Sequence, residues 1–122
     1  MPNSVDIDQW TTQLRKGLGE LCVLAAVERL GDAYGYQLVQ FLAEHDGIQL
    51  TESTVYPLLA RLAREGCLSV TAKPSPSGPP RRYYHLTSTG RKSLEAMLQS
   101  WHVVGGSIQR IVHPNGSKET RT

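Results

Sequence analysis

Seven cationic side chains, Arg61, Arg64, Lys73, Arg81, Arg82, Arg91 and Lys92, lie between residues 53 and 92 against the single acid Glu65, a balance of +6. Residues 1 to 52 carry only Arg15, Lys16 and Arg29 against eight acids, a balance of −5, and the whole chain nets +2. Cations gathered in one stretch of a near-neutral protein are what a polyanion-facing surface leaves in sequence, because each can neutralise a phosphate. A solvated basic face leaves the same trace, so charge alone does not choose between the two.

Other chemistry-bearing residues are scattered. His45, His85, His102 and His113 show no i, i+4 pairing and no cysteine at ligand spacing, so no metal is expected. No glycine-rich phosphate loop, paired acids or nucleophile beside a base stands out, which leaves an enzyme reading without support and implies no cofactor. Cys22 sits in an apolar run and Cys67 follows a helical stretch. With no CxxC pair and no secretory leader before them, both read as reduced thiols, and a cytoplasmic protein is expected. The apolar run from Leu21 to Val27 is far shorter than the roughly 20 residues of a membrane span, so none is expected.

The elements that must position the cations follow from hydrophobic period. A chain of 122 residues fits one domain. Residues 1–8 are polar and aperiodic, the pattern of a flexible arm. From Asp8 to Leu30, Leu14, Leu18, Leu21 and Ala25 recur at helical spacing, and the second half is apolar on nearly every face, as in a buried helix. Gly31-Asp32 stops it, with Asp32 placed to cap the next helix. That second helix is predicted from Tyr34 to His45, with Leu38, Phe41 and Leu42 on one side. Thr51 then caps a third, whose core stripe is Val55, Leu58, Leu59 and Leu62 and whose other face offers Ser53, Thr54, Tyr56, Arg61 and Arg64. Pro57 lies past the first turn of that helix and should kink it at about 3 kcal/mol, unless the helix starts later.

Two strand-like runs, Cys67 to Ala72 and Arg81 to Leu86, are joined by residues 73–80, which contain four prolines and a glycine; this predicts a β-hairpin with a long, stiff tip and arginines at its base. Tyr83 and Tyr84 alternate faces, so one of them enters the core. Thr87 or Ser88 caps a last helix whose apolar positions Leu94, Met97, Trp101, Val104, Ile108 and Ile111 form a heptad seam suited to a partner helix. Gly105-Gly106 should bend it or allow close backbone approach, and a polar, disordered tail is expected over 114–122. The fold expected is mainly α with a small β-hairpin: a winged helix-turn-helix over residues 9–87 and a dimerisation helix over 88–113.

Helix, helix, helix, hairpin is an order suited to duplex DNA. The third helix enters the major groove, which is about 12 Å wide, and the hairpin lies along the adjacent backbone. Ser53, Thr54 and Tyr56 are then best placed to meet base edges, while Arg61, Arg64, Lys73, Arg81, Arg82 and Lys16 meet phosphate. Ser53 and Thr54 can equally serve as first-turn hydrogen-bonding groups of the helix, and Tyr36 can pack between helices instead of touching DNA.

The stretch Leu14 to Leu18 (LRKGL), the pair Gly35-Tyr36, Thr54 to Leu62 (TVYPLLARL), Glu65-Gly66, Gly78 to Thr87 (GPPRRYYHLT) and Gly90-Arg91 resemble the PadR family of transcriptional regulators in order and spacing over roughly residues 14–94. The resemblance implies a homodimeric repressor that binds inverted-repeat operators in double-stranded DNA, with the last helix and part of the first forming the dimer. It implies Lys16, Tyr36, Ser53, Thr54, Tyr56 and wing residues including Lys73, Arg81, Arg82 and Tyr83 as the DNA-contacting set. The single short C-terminal helix is similar to the compact branch of the family. There a tryptophan in the last helix faces its symmetry mate and stacks planar aromatic effectors, which makes Trp101 either such a wall or a dimer-core residue. Met97 and Val104 would line that site, with Trp10 and Leu14 from the first helix of the other subunit. The alternatives of another class are a DNA-binding module with no small-molecule effector and a winged helix that binds only proteins.

Overall fold

The computed structural model describes residues 5–115, with elements in the order α1 (Ile7–Leu30), β1 (Ala33–Tyr34), α2 (Gly35–Ala43), α3 (Glu52–Arg64), β2 (Leu68–Ser75), β3 (Gly78–Leu86) and α4 (Ser88–Val112). The first four residues of the expected arm and all but the start of the expected tail lie outside the described residues; α1 already includes Ile7 and Asp8. Asp6 begins it by accepting the amides of Asp8 (3.1 Å) and Gln9 (3.2 Å) on Oδ1, which satisfies two donors that a helix start leaves free. Gly31 ends it at φ 80°, a conformation in which a Cβ would be strained.

The apolar half of α1 is the centre of the molecule. Val23, Leu24, Ala26 and Val27 are buried there against Leu38 and Leu42 of α2, Val55, Leu59 and Leu62 of α3, Leu68 and Tyr84 of the sheet, and Leu94 of α4. The expected alternation therefore holds: Tyr84 enters the core and Tyr83 does not.

Several local expectations are corrected. The sheet has three strands in the order β1-β3-β2, because Ala33 and Tyr34 pair with Tyr84 and Tyr83. The α2 helix starts at Gly35, one residue later than predicted, and ends at Ala43, two residues earlier, and Asp32 caps nothing; Gln37 Oε1 instead accepts the Tyr34 amide (3.0 Å). The wing has no long tip. Its two strands run to Ser75 and Gly78, which pair across a turn at Pro76-Ser77, with one irregularity between Lys73 and Ser75. Proline is tolerated because β2 is an edge strand and β3 past Tyr83 has no β1 neighbour, so the missing N–H groups face no partner there.

Pro57 lies inside α3, which starts at Glu52 after the N-cap Thr51, so a late start does not remove the conflict. Thr51 occupies the cap position but its hydroxyl bonds the Ser53 hydroxyl (2.9 Å) instead of a helix amide. In α4 Thr87 is a true cap, accepting Gly90 N–H (3.0 Å) while its own hydroxyl donates to the Gly66 carbonyl (2.6 Å). The helix runs unbroken through Gly105 and Gly106, and a Cβ on Gly105 would meet nothing within 4 Å in the chain.

Candidate nucleic-acid interface

The core stripe of α3 fixes what its outer face shows. With Val55, Leu59 and Leu62 buried, Ser53 and Tyr56 are exposed and Thr54 half-buried in the first turns. Gly35 opens α2 directly beside Tyr56: a Cβ there would lie 2.7 Å from the Tyr56 ring, so only glycine lets the ring sit where it does. Tyr36 follows, 49% exposed, so it is not packed between the helices.

Facing these residues is the inner side of the wing. Tyr34, Gly35, Tyr36 and Tyr56 line one side of a cleft of about 510 Å³, and Pro80, Arg81, Arg82 and Tyr84 line the other. Burial first, then the Glu52 carboxylate, pushes the Tyr56 phenol above its usual range, and burial does the same for Tyr84. Both hydroxyls therefore stay protonated and able to donate to an anion.

The two consecutive arginines differ in surroundings. Arg82 is exposed, on the strand face shared with Tyr84, and makes no ion pair among the described residues. Arg81 stands over the Tyr34 ring at 4.3 Å. Lys73, opposite Arg81 in the hairpin, lies 4.4 Å over the Tyr83 ring and 2.7 Å from Asp32 Oδ2. Arg61 does not point to the cleft at all: it pairs with Glu20 of α1 (2.9 Å) and Glu65 (3.6 Å). Arg91 pairs with Glu28. The charge separation of the sequence is thus partly cancelled in space, since Glu20, Glu28 and Asp32 of the acidic start each meet a cation of the basic middle. Lys16 and Arg64 are exposed and make no ion pair among the described residues.

Tyr34 and Asp32 are cleft and wing residues whose place there no sequence signal marked. A two-residue strand has no period to detect, and an aspartate after a helix-stopping glycine looks like a cap whichever partner it takes. The carboxyl of Asp32 is held below the usual carboxylate range, chiefly by its hydrogen bond from Lys73.

A second set of expected residues gathers away from the cleft, and none of them lines it. Leu14, Met97, Trp101 and Val104 line one apolar groove of about 460 Å³ between α1 and α4, with Glu20 and Ile108. Trp10 is not among its lining residues and is exposed further along α1, and Leu94 lies in the core at 2% exposure, so the stripe open to a partner starts after it. Trp101, Val104, Ile108 and Ile111 are all exposed. Cys22 and Cys67 are both free thiols, and burial pushes the Cys22 thiol up. Among the described residues no group of three or more His, Cys, Asp or Glu could hold a metal ion, and no helix is long and apolar enough to cross a membrane.

Residues 23–96 match the model of the transcriptional regulator PadR-like family. The chain is similar to a crystal structure of a PadR family transcriptional regulator from Eggerthella lenta, at 33% identity and TM-score 0.79, covering 89% of this chain and 94% of that one. An uncharacterised protein of Lysinibacillus sphaericus is 28% identical over 72 residues, 57% of this chain and 66% of its own length. A structure of Bacillus subtilis PadR in complex with operator DNA matches at 25% identity and TM-score 0.59, over 65% of this chain and 45% of that one. With a family model covering more than half of its length and a winged-helix fold shared with solved members, the chain belongs to the PadR-like family of transcriptional regulators.

Proposed function

We propose that this protein is a sequence-specific DNA-binding repressor that works as a homodimer in the cytoplasm on inverted-repeat operators, and that a small planar aromatic effector relieves it. The observation that carries the DNA-binding reading is the cleft in which the exposed starts of α2 and α3 face Arg82 of the wing, which has no ion pair among the described residues. In this reading α3 enters the major groove, Ser53, Thr54 and Tyr56 meet base edges, and Arg82, Arg64, Lys16 and the phenols of Tyr36 and Tyr56 meet the backbone. Lys73, Arg81 and Tyr83 contribute from the wing's outer face, and Arg61 contributes only if it leaves Glu20. That the Bacillus subtilis relative is in complex with operator DNA supports duplex DNA as the ligand.

The homodimer is supported by the apolar stripe of Trp101, Val104, Ile108 and Ile111, which one chain leaves uncovered. The effector is supported by the groove that brings Trp101 together with Met97, Val104 and Leu14. A titration of the protein against its own promoter DNA, at two salt concentrations and with random duplex as competitor, tests the reading. Selective, salt-sensitive binding of a dimer is expected; binding indifferent to sequence would leave a protein-interaction module as the better description. Quenching of tryptophan fluorescence by a planar aromatic compound, coupled to release of the promoter, tests the effector.

A further inference from the structure

Along the outer face of the wing runs a row of interlocked side chains. Arg81 lies 4.3 Å over Tyr34, Tyr34 meets Tyr83 edge-on at 5.5 Å between centroids, and Lys73 lies 4.4 Å over Tyr83. The row ends on Asp32, in the corner between α1 and β1, whose carboxylate accepts from Lys73 Nζ at Oδ2 (2.7 Å) and faces His85 Nε2 at Oδ1 (2.8 Å). One carboxylate thus touches both strands of the wing, on side chains offered to solvent.

Asp32 could act here as a strut or as a charge, and magnitudes separate the two. Asp32, Lys73 and His85 are 50%, 42% and 38% exposed, and ion pairs that open to water contribute little to holding a fold. Electrostatic attraction between exposed charges, in contrast, reaches about 10 Å at 0.1 M salt. A sheet with its side chains is about that thick, so a duplex lying along the wing feels both of its faces. A lysine already matched by its own carboxylate adds nothing to the release of counterions from DNA.

We propose that Asp32 limits the affinity of the wing for duplex DNA by occupying Lys73 as a phosphate would. The proposal rests on the DNA-binding reading above. A phosphate that reaches Lys73 must displace the carboxylate and then sit beside its charge. This weakens contact with every sequence alike, so bulk DNA holds the protein less tightly while α3 keeps the ratio between operator and random sequence.

The test uses the full-length protein, a random-sequence duplex and an operator duplex, titrated across a series of NaCl concentrations with wild type, Asp32→Asn and Asp32→Asn combined with Lys73→Gln. Asp32→Asn keeps an oxygen for Lys73 and turns an amide N–H toward His85 Nε2, and its thermal unfolding is expected to match wild type. It should bind both duplexes several-fold tighter at low salt, by the same factor, and steepen the log–log salt dependence by about 0.9 per wing. Adding Lys73→Gln should return affinity and slope to wild type. Unchanged or weaker binding by Asp32→Asn, where wild type binds, would overturn the proposal and leave Asp32 a strut; tightening that survives Lys73→Gln would overturn the assignment to Lys73. If wild type binds neither duplex at any salt, the DNA-binding reading itself falls, and this proposal with it.

Discussion

Arg81 and Arg82 adjoin in sequence and both line the cleft, yet Arg81 stands over the Tyr34 ring while Arg82 has no ion pair among the described residues. Arg82→Ala should therefore flatten the salt dependence of duplex binding by about 0.9 per wing, the effect of one lost phosphate contact. Arg81→Ala should do less, because its guanidinium is already engaged; equal losses in a salt titration would refute that ordering. Two glycines give a matched contrast. At Gly35 an added Cβ meets only the Tyr56 ring, at 2.7 Å, whereas at Gly90 it would lie 2.0 Å from the Cys67 carbonyl, which is backbone. Gly35→Ala should turn Tyr56 out of the cleft and weaken DNA binding with a near-normal melting temperature. Gly90→Ala should lower stability by about 1–3 kcal/mol or more, the range for an overfilled core, as a denaturant titration would record. Alternation along β3 was enough to say that one of Tyr83 and Tyr84 is core. The Glu20–Arg61 pair was not legible, since α1 and α3 meet only after the chain has folded.

At the scale of elements, α1, α3 and α4 were legible because their apolar residues recur at three and four, and each was found within about a residue of its expected start. The misses share a cause. β1 is too short to carry a period, and the prolines of residues 73–80 signal a loop, whereas Pro74, Pro79 and Pro80 lie in the strands and Pro76 in the turn between them. Pro57 is the one local rule that the fold breaks outright. Having no N–H, it leaves the Ser53 carbonyl without its usual helical donor on an exposed part of α3. Pro57→Ala should raise stability, by up to the ~3 kcal/mol that separates these residues in a helix interior, when measured by thermal or denaturant unfolding. It should weaken operator binding if that carbonyl is an acceptor for base amino groups. Alanine at Ser53 itself, which keeps the carbonyl, would not expose such a contact.

For the whole molecule, the two candidate surfaces share no lining residue: the cleft at the starts of α2 and α3, and the apolar stripe of α4 beside α1. Because Leu94 belongs to the head and Ile108 lies beyond it, Ile108→Asp should separate the subunits of the proposed homodimer in sedimentation while leaving the monomer's fold intact. Loss of folded structure in that variant would mean that the head does not stand without its partner. The heptad spacing had marked this stripe in the sequence; where the head's core stops along it had to come from the structure, since Leu94 and Trp101 look alike to a period of seven. The ion pairs of Glu20, Glu28 and Asp32 with Arg61, Arg91 and Lys73 bear on how DNA binding is read. A cation that turns from its carboxylate to a phosphate leaves behind an anion, which takes up a sodium or potassium ion from solution. Ions shed by the DNA are then partly recaptured by the protein, so the measured salt dependence will undercount the phosphates that this protein touches.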